Sequence, residues 1–462
     1  MPDNRKIYFI VLMTNLMGPF MGSSVNIAIP TMAVDFGISP EKLSWILTAY
    51  LLGSVMLLLP AGRLADMFGR RKLYTLGSFS VAAATGLCAV APDAGSLTFF
   101  RLLQGLSFSM VASTGMAMLV ASFGKAERGR VLGAAAAATY IGLSLGPVLG
   151  GVIVEVFSWR ILFLGTSLFN LAAALLISTV RQEWRGEAGD GFDFLGAVLY
   201  SAASGSLLYG VSAFHDVPHA PAMVVAGVVL LSAFFLRERR VLQRCKAGAE
   251  RLPILDLSLF SSRIFLFSNL AAFMNYAATY ASAFMMSLCL QIVYGFDAKT
   301  AGFVLLSQPI LMAAFSPIAG RLSDKYPPRW IASAGMGVTT VGLFCMAQPA
   351  AMESLAHLVV SLFLMGLGFA FFASPNTNAI MSAAPQTQYG TASSLTAVMR
   401  QAGQAMSMAI TTALLSLFIA PGTDYASSLA AANGKIFLAL TGAGIAAVIF
   451  SVVRGRTEDA GK

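Results

Sequence analysis

Runs of about twenty apolar residues, broken by short polar stretches rich in Gly, Pro, Lys and Arg, recur along the whole chain. At 1.5 Å of rise per residue, a helix of that length crosses the hydrocarbon core of a bilayer. The pattern predicts fourteen transmembrane helices, near 8–31, 43–62, 72–92, 95–122, 129–156, 159–181, 194–213, 220–237, 264–292, 299–320, 329–347, 353–374, 389–419 and 434–453. The first run is too long for a cleaved leader. It carries Asn15 and Asn26 and ends in Pro30 where a leader would have small residues, so it is expected to stay as a helix.

Composition narrows the class. Of 462 residues, 57% are hydrophobic and 11% charged, with a mean hydropathy of +0.75; soluble domains average about 45–50% and about 25%. A soluble enzyme, a nucleic-acid binder and a disordered regulator are excluded. The net charge of +9 reports topology. With the N-terminus inside, 24 of the 30 Lys and Arg fall in alternate, cytoplasmic segments, four in outer loops (Lys42, Arg160, Lys299, Lys435) and two within helices (Arg101, Arg400). This predicts a multi-pass protein of the cell's inner membrane, both termini cytoplasmic and lipid its surround, with no nucleic-acid partner. The stretch 238–263 reads as a cytoplasmic linker that opens on the basic run at 237–240.

Four cysteines stand singly and form neither a metal spacing nor a disulfide framework. His215 and His219 flank Asp216, but Pro218 interrupts the helix that a metal pair would need, so no metal and no cofactor are expected. Glu353 and His357, four apart, read as a solvated pair on one helix.

The chain repeats itself. Residues 61–71 return at 319–329 with six of eleven positions identical, at an offset of 258. Gly133 and Gly146 recur as Gly390 and Gly403, and 103–108 recurs as 364–369, at nearly the same offset. The predicted architecture is therefore all-α: a six-helix bundle over 1–181, two inserted transmembrane helices with the linker over 182–263, and a six-helix bundle with a short tail over 264–462. Parallel repeats imply a substrate site between bundles near the midplane, reached by rocking.

Three segments carry chemistry. Gly62, Arg63, Asp66, Gly69 and Arg70 form a tight charged turn that returns as Gly320, Arg321 and Asp324. Arg101 and Gln104 lie inside the fourth predicted helix. In the fifth, Gly142, Gly146 and Gly150 lie four apart beside Pro147, a face for close helix packing. In this order the segments resemble the signatures of the major facilitator superfamily. The helix-five motif, the AsnIleAlaIlePro at 26–30 and the SerTrpArg at 158–160 are similar to the fourteen-helix branch of its drug:proton antiporters. The resemblance implies an alternating-access exporter of small amphipathic compounds, coupled to protons, with the glycine motifs gating it. In that branch an acid precedes the helix-one Asn by five residues; here that position is Met21.

No acid falls mid-helix, which leaves Glu155, Asp35 and Glu353 as candidates for proton coupling. Arg101 and Arg400 are expected to be the only charges buried in helices and to face the protein interior. Phe273, Tyr276, Tyr280 and Phe284 form one stripe of the ninth predicted helix. The candidate substrate set is Met21, Asn26, Arg101, Gln104, Tyr140, Asn275, Tyr276, Tyr280, Gln308, Arg400, Gln401 and Gln404. Two arginines without a core acid favour organic anions or neutral amphiphiles as the alternative cargo. A membrane-embedded enzyme would need a nucleophile, base or metal cluster at one depth, and none appears; no phosphate-binding loop of the nucleotide-hydrolase type appears either. A monomer is expected.

Overall fold

The computed structural model describes residues 3–123, 127–185, 191–214, 217–246, 253–384, 389–419 and 424–455. Among the described residues every regular element is helical. The N-terminal part comprises α1 (Asp3–Phe36), α2 (Pro40–Leu43), α3 (Trp45–Phe68), α4 (Arg70–Ala89), α5 (Ala94–Ser122), α6 (Arg128–Val156) and α7 (Trp159–Ser178). Two further helices follow, α8 (Phe194–Ser212) and α9 (Ala220–Lys246). The C-terminal part comprises α10 (Arg263–Leu288), α11 (Ala298–Leu305), α12 (Ser307–Lys325), α13 (Pro328–Met346), α14 (Ala350–Glu353), α15 (Leu355–Ser382), α16 (Tyr389–Phe418) and α17 (Tyr425–Val453). A five-residue π-helical segment, Cys289–Val293, extends α10.

Eleven of the described helical segments are long and apolar enough to cross a membrane. Helices α4, α13 and α16, of 20, 19 and 30 residues, fall outside that set. Starts are set by side chains that accept backbone N–H groups, at Asp93, Ser158, Asp193, Ser262, Asp297, Ser354 and Asp424, each contribution about 0.5–2 kcal/mol. Asp93, Asp297 and Asp424 are held below the usual carboxylate range, the first and last chiefly by a backbone N–H of Ser96 or Ser427, Asp297 chiefly by the Thr300 side chain.

The chain forms two compact units. One holds 1–21, 45–142 and 158–257; the other holds 22–44, 143–157 and 258–462. In the first, α5 packs on α3 and α4, and α4 on α7. Only glycine permits the α3–α5 approach, since a Cβ on Gly105 would lie 2.0 Å from the Tyr50 carbonyl oxygen and one on Gly53 2.4 Å from that of Leu102. In the second, α15 packs on α12 and α13, and α13 on α17, the same pairing scheme. The 258-residue offset sets the α3–α4 turn on the α12–α13 turn, so the repeat is present in packing as well as in sequence.

Three readings are corrected. The basic run 237–240 is not linker but helix, because Arg237 donates to both carboxylate oxygens of Asp193 and Glu238 accepts the N–H of Leu255 at 3.0 Å. Glu353 and His357 do not share a helix: the chain breaks at Ser354, and the His357 ring bonds the Cys345 carbonyl at 2.9 Å. Arg400 is exposed, whereas Arg63, Asp193, Glu238 and Arg454 join Arg101 among the buried charges; each of these four lies near a helix end, where charge counting assigned it to a loop. Asp216 and His215 lie outside the described residues.

Candidate functional site

Below, the basic end of a helix is the one nearest the Lys- and Arg-rich loops. In the second unit, the far half of α6 meets α11 backbone to backbone. A Cβ on Gly302 would lie 2.1 Å from the Pro147 carbonyl oxygen, and one on Gly151 2.4 Å from that of Ala298. A Cβ on Gly150 would lie 2.8 Å from the Ser24 side chain, whose hydroxyl donates to the Gly146 carbonyl at 3.0 Å. Further along α1, the Asn26 carbonyl accepts from Ser287 at 2.7 Å and that of Ile27 from Gln291 at 3.1 Å. Within the first unit, a Cβ on Gly142 would lie 2.2 Å from the Leu16 carbonyl oxygen. Backbone against backbone is what the four-residue glycine spacing allows.

The second unit also holds a polar seam between α10 and α16. Gly403 lets the two helices touch, a Cβ there falling 2.4 Å from the Phe273 carbonyl oxygen, and Ser407 accepts the Ala281 N–H at 3.0 Å. Along this seam the Asn275 amide nitrogen and the Gln401 amide oxygen are buried without hydrogen-bond partners, as is the Asn26 amide oxygen on α1. An unmet buried polar group costs about 1–3 kcal/mol, so a polar group bound at Asn275 or at Gln401 would lower the free energy. Tyr276 packs edge-on against Phe369 at 5.5 Å; Tyr280 is half-buried and Phe284 is sealed in the core. Along α16 one face runs from exposed Ser393 and Arg400 through half-buried Gln404 to buried Ser407 and Thr411. Gln308 is half-buried, its carbonyl oxygen 2.3 Å from where a Cβ on Gly366 would stand.

The remaining candidates belong to the first unit. Arg101 is 2% exposed; it donates to the Ile46 carbonyl at 3.0 Å and to Gln104, and stacks over Tyr50 at 4.5 Å. Gln104 passes the chain on to the Thr85 hydroxyl at 2.7 Å. Met21 is buried, with the Thr166 hydroxyl donating to its sulfur at 3.4 Å. Tyr140 is half-buried on α6. In the turn after α3, Gly69 adopts φ 114°, which favours glycine, and Asp66 pairs with Arg70 at 2.9 Å. Gly62 and Gly320 are half-buried, Arg63 is buried, Arg321 is exposed, and the Asp324 side chain lies outside those described. Glu155, Asp35 and Glu353 are all exposed. The structure thus brings Asn26, Asn275, Tyr276, Tyr280, Gln308, Arg400, Gln401 and Gln404 into one unit, and Met21, Arg101, Gln104 and Tyr140 into the other. Sequence reasoning missed Glu183, which accepts the Arg71 backbone N–H at 2.8 Å and pairs with its guanidinium at 3.4 Å.

The family model of the Major Facilitator Superfamily matches residues 9–190 and again 189–408. The chain belongs to that superfamily. Major Facilitator Superfamily members are transporters, and this chain is accordingly a multi-pass membrane transporter and not an enzyme. It is 30% identical to the riboflavin transporter RibZ of Clostridioides difficile over 90% of this chain and 89% of that protein. It is 28% identical to the multidrug resistance protein Stp of Mycobacterium tuberculosis, over 86% of this chain and 73% of that one, and 27% identical to the puromycin resistance protein pur8 of Streptomyces alboniger, over 88% and 82%. Among solved structures it shares the fold of the human organic anion transporter MFSD10, with a TM-score of 0.64 at 14% identity over 98% of this chain and all of that one. A bacterial homologue of the lysosomal transporter Spinster, in an inward-facing and unoccupied conformation, aligns with a TM-score of 0.66 at 14% identity over 98% and 96%.

Proposed function

We propose that this chain exports amphipathic organic compounds by alternating access, as a fourteen-span proton antiporter of the cell membrane with cytoplasmic termini. The observation that carries the reading is the contact of α6 with α11, where Gly302 meets the Pro147 carbonyl and Gly151 that of Ala298. Helices α1 and α6 belong to the first sequence repeat and α10 and α11 to the second, so rocking of the repeats has to break this contact. A surface without interlocked side chains parts and re-forms at low cost, which suits a gate. Pro147 and Gly151 of α6, facing Gly302 and Ala298 of α11, would form the gate, with Gly142, Gly146 and Gly150 holding α6 on α1, and Asp66 with Arg70 would latch the basic end.

The cargo would lie along the α10–α16 seam, its polar groups meeting Asn275 and Gln401 and its apolar body meeting Tyr276 and Tyr280. Relatives named for multidrug resistance and for riboflavin support an organic cargo of that kind. Arg400 on the α16 face that runs from exposed Ser393 to half-buried Gln404, with no acid mid-helix, supports neutral or anionic amphiphiles over lipophilic cations, since like charges repel. Glu155, then Asp35, then Glu353 would carry the coupled proton; arginine stays protonated and cannot. The test is uptake of matched neutral, anionic and cationic amphiphiles into inside-out vesicles with and without a pH gradient. Gradient-dependent uptake that Asn275→Ala and Gln401→Ala weaken is expected; uptake untouched by both variants would remove the seam from the reading.

A further inference from the structure

The two halves differ where the repeat makes them comparable. The offset of 258 sets Arg71 on Arg329. In the first unit Arg71, at the start of α4, meets Glu183 just beyond the end of α7. In the second unit α13 and α17 take the places of α4 and α7, and the residue just beyond α17 is Arg454. The seam is fixed by the Ser333 and Ser451 hydroxyls, 2.8 Å apart. Arg329 lies one turn before Ser333 and Arg454 one turn after Ser451 on antiparallel helices, so both guanidiniums lie at the basic end, near enough for the Arg329 charge to act on Arg454. A carboxylate–arginine pair in one repeat is thus an arginine–arginine pair in the other.

Arg454 is 1% exposed. One of its terminal nitrogens donates to the Asn376 amide oxygen at 2.9 Å and to the Ser268 hydroxyl at 3.4 Å; the other is buried without a partner, as is Nε of Arg329. Among the described side chains no carboxylate pairs with either arginine. Burial and the neighbouring Arg329 charge push the Arg454 guanidinium down to about 10, so it remains protonated at neutral pH. The C-terminal dipole of α17 favours a cation there, but by less than burial of an unpaired guanidinium costs. Trp330, 60% exposed, follows Arg329 and stacks with it at 4.8 Å, the aromatic residue type that settles at headgroup depth.

We propose that Arg329 and Arg454 bind a phosphate group at the basic end of the α13–α17 seam, supplied by an anionic phospholipid headgroup or by free phosphate. The bound phosphate takes the place that Glu183 holds in the other repeat. The nitrogens without partners, one on Arg454 and one on Arg329, suit two oxygens of one phosphate, as charge-assisted hydrogen bonds.

The test uses the full chain purified in neutral detergent. Phosphatidylglycerol, phosphatidylcholine and inorganic phosphate are titrated separately, and bound adducts are counted by native mass spectrometry alongside the unfolding midpoint. Saturable stabilisation by phosphatidylglycerol and none by phosphatidylcholine is expected; a matching shift with inorganic phosphate alone identifies the free ion as the source and still supports the site. Arg329→Gln, a change at a half-buried position that leaves the core intact, should weaken binding roughly ten-fold, equivalent to about 1.4 kcal/mol. Arg454→Glu should rebuild the pairing of the first repeat, unfold no earlier than wild type without additive, and lose the response to phosphatidylglycerol. Equal binding by wild type and Arg329→Gln, or an unchanged response in Arg454→Glu, would overturn the proposal. So would equal stabilisation by phosphatidylcholine.

Discussion

Replacing Gly302 with Ala tests whether the glycine contact is a gate or ordinary packing. The added Cβ would stand 2.1 Å from the Pro147 carbonyl oxygen, and carbon is not found closer than 3.0 Å to such an atom, so α6 and α11 must separate by roughly 0.9 Å. Overpacking of this kind costs about 1–3 kcal/mol. If the contact breaks during the cycle, only the conformer that holds it bears this cost, and its population falls about five- to 150-fold relative to the open one. Spin labels at Val156 on α6 and Lys299 on α11, both exposed, with the native cysteines replaced, report the separation as a distance distribution. In Gly302→Ala the longer distances should dominate and turnover should fall. Gly105→Ala serves as the control, because its Cβ would lie 2.0 Å from the Tyr50 carbonyl oxygen inside the α3–α5 pair of one repeat. That variant should unfold at lower temperature without changing the distance distribution. Unchanged distances and transport in Gly302→Ala would refute the gate.

Asp66→Asn, which removes the charge paired with Arg70 at 2.9 Å, should slow turnover several-fold while substrate affinity stays within about two-fold; the opposite split between kcat and KM would refute the latch. Gln104→Leu removes one hydrogen bond from Arg101 and one from Thr85, and equilibrium unfolding should show a loss of about 1–3 kcal/mol; no loss would mean that these two bonds contribute nothing. The caps Asp93, Asp297 and Asp424 have folded pKa values below the unfolded 3.8. Their stabilisation is therefore complete well above pH 4 and is lost as pH falls through the folded values. Melting curves from pH 6 to pH 3 should steepen less in Asp297→Asn, which keeps a capping oxygen without the charge, and an identical acid slope would contradict the assignment.

Eleven of the fourteen spans were legible because twenty-residue apolar runs have one physical explanation, and the repeat because 61–71 and 319–329 share six residues, among them Gly62, Arg63 and Asp66. Helix ends were less so. Glu238 and Arg237 look like linker residues in a one-dimensional count, and only Asp193 and the Leu255 N–H, 44 and 17 residues away, show why the helix continues through them. Membrane depth misled in the other direction at Arg400: a charge inside an apolar run was read as buried, yet its α16 face opens between Ser393 and Gln404. Arg101 was legible as a buried guanidinium, but its partners Ile46, Gln104 and Tyr50 converge from two helices whose approach depends on Gly53 and Gly105. Asn275 and Gln401 were legible as polar residues in apolar helices, but that one amide atom of each lacks a partner was not, since an amide in an apolar helix looks the same whether it is satisfied or not.

Transport of matched amphiphiles of three charge types is the most direct measurement of the central claim. Inside-out vesicles bearing wild type or Arg400→Gln are given a neutral, an anionic and a cationic probe of equal size, with a pH gradient imposed or collapsed. The account predicts gradient-dependent uptake in wild type, with the neutral and anionic probes ahead of the cationic one, and a narrowed difference in Arg400→Gln. Strong uptake of the cationic probe by wild type, unaffected by Arg400→Gln, would contradict it.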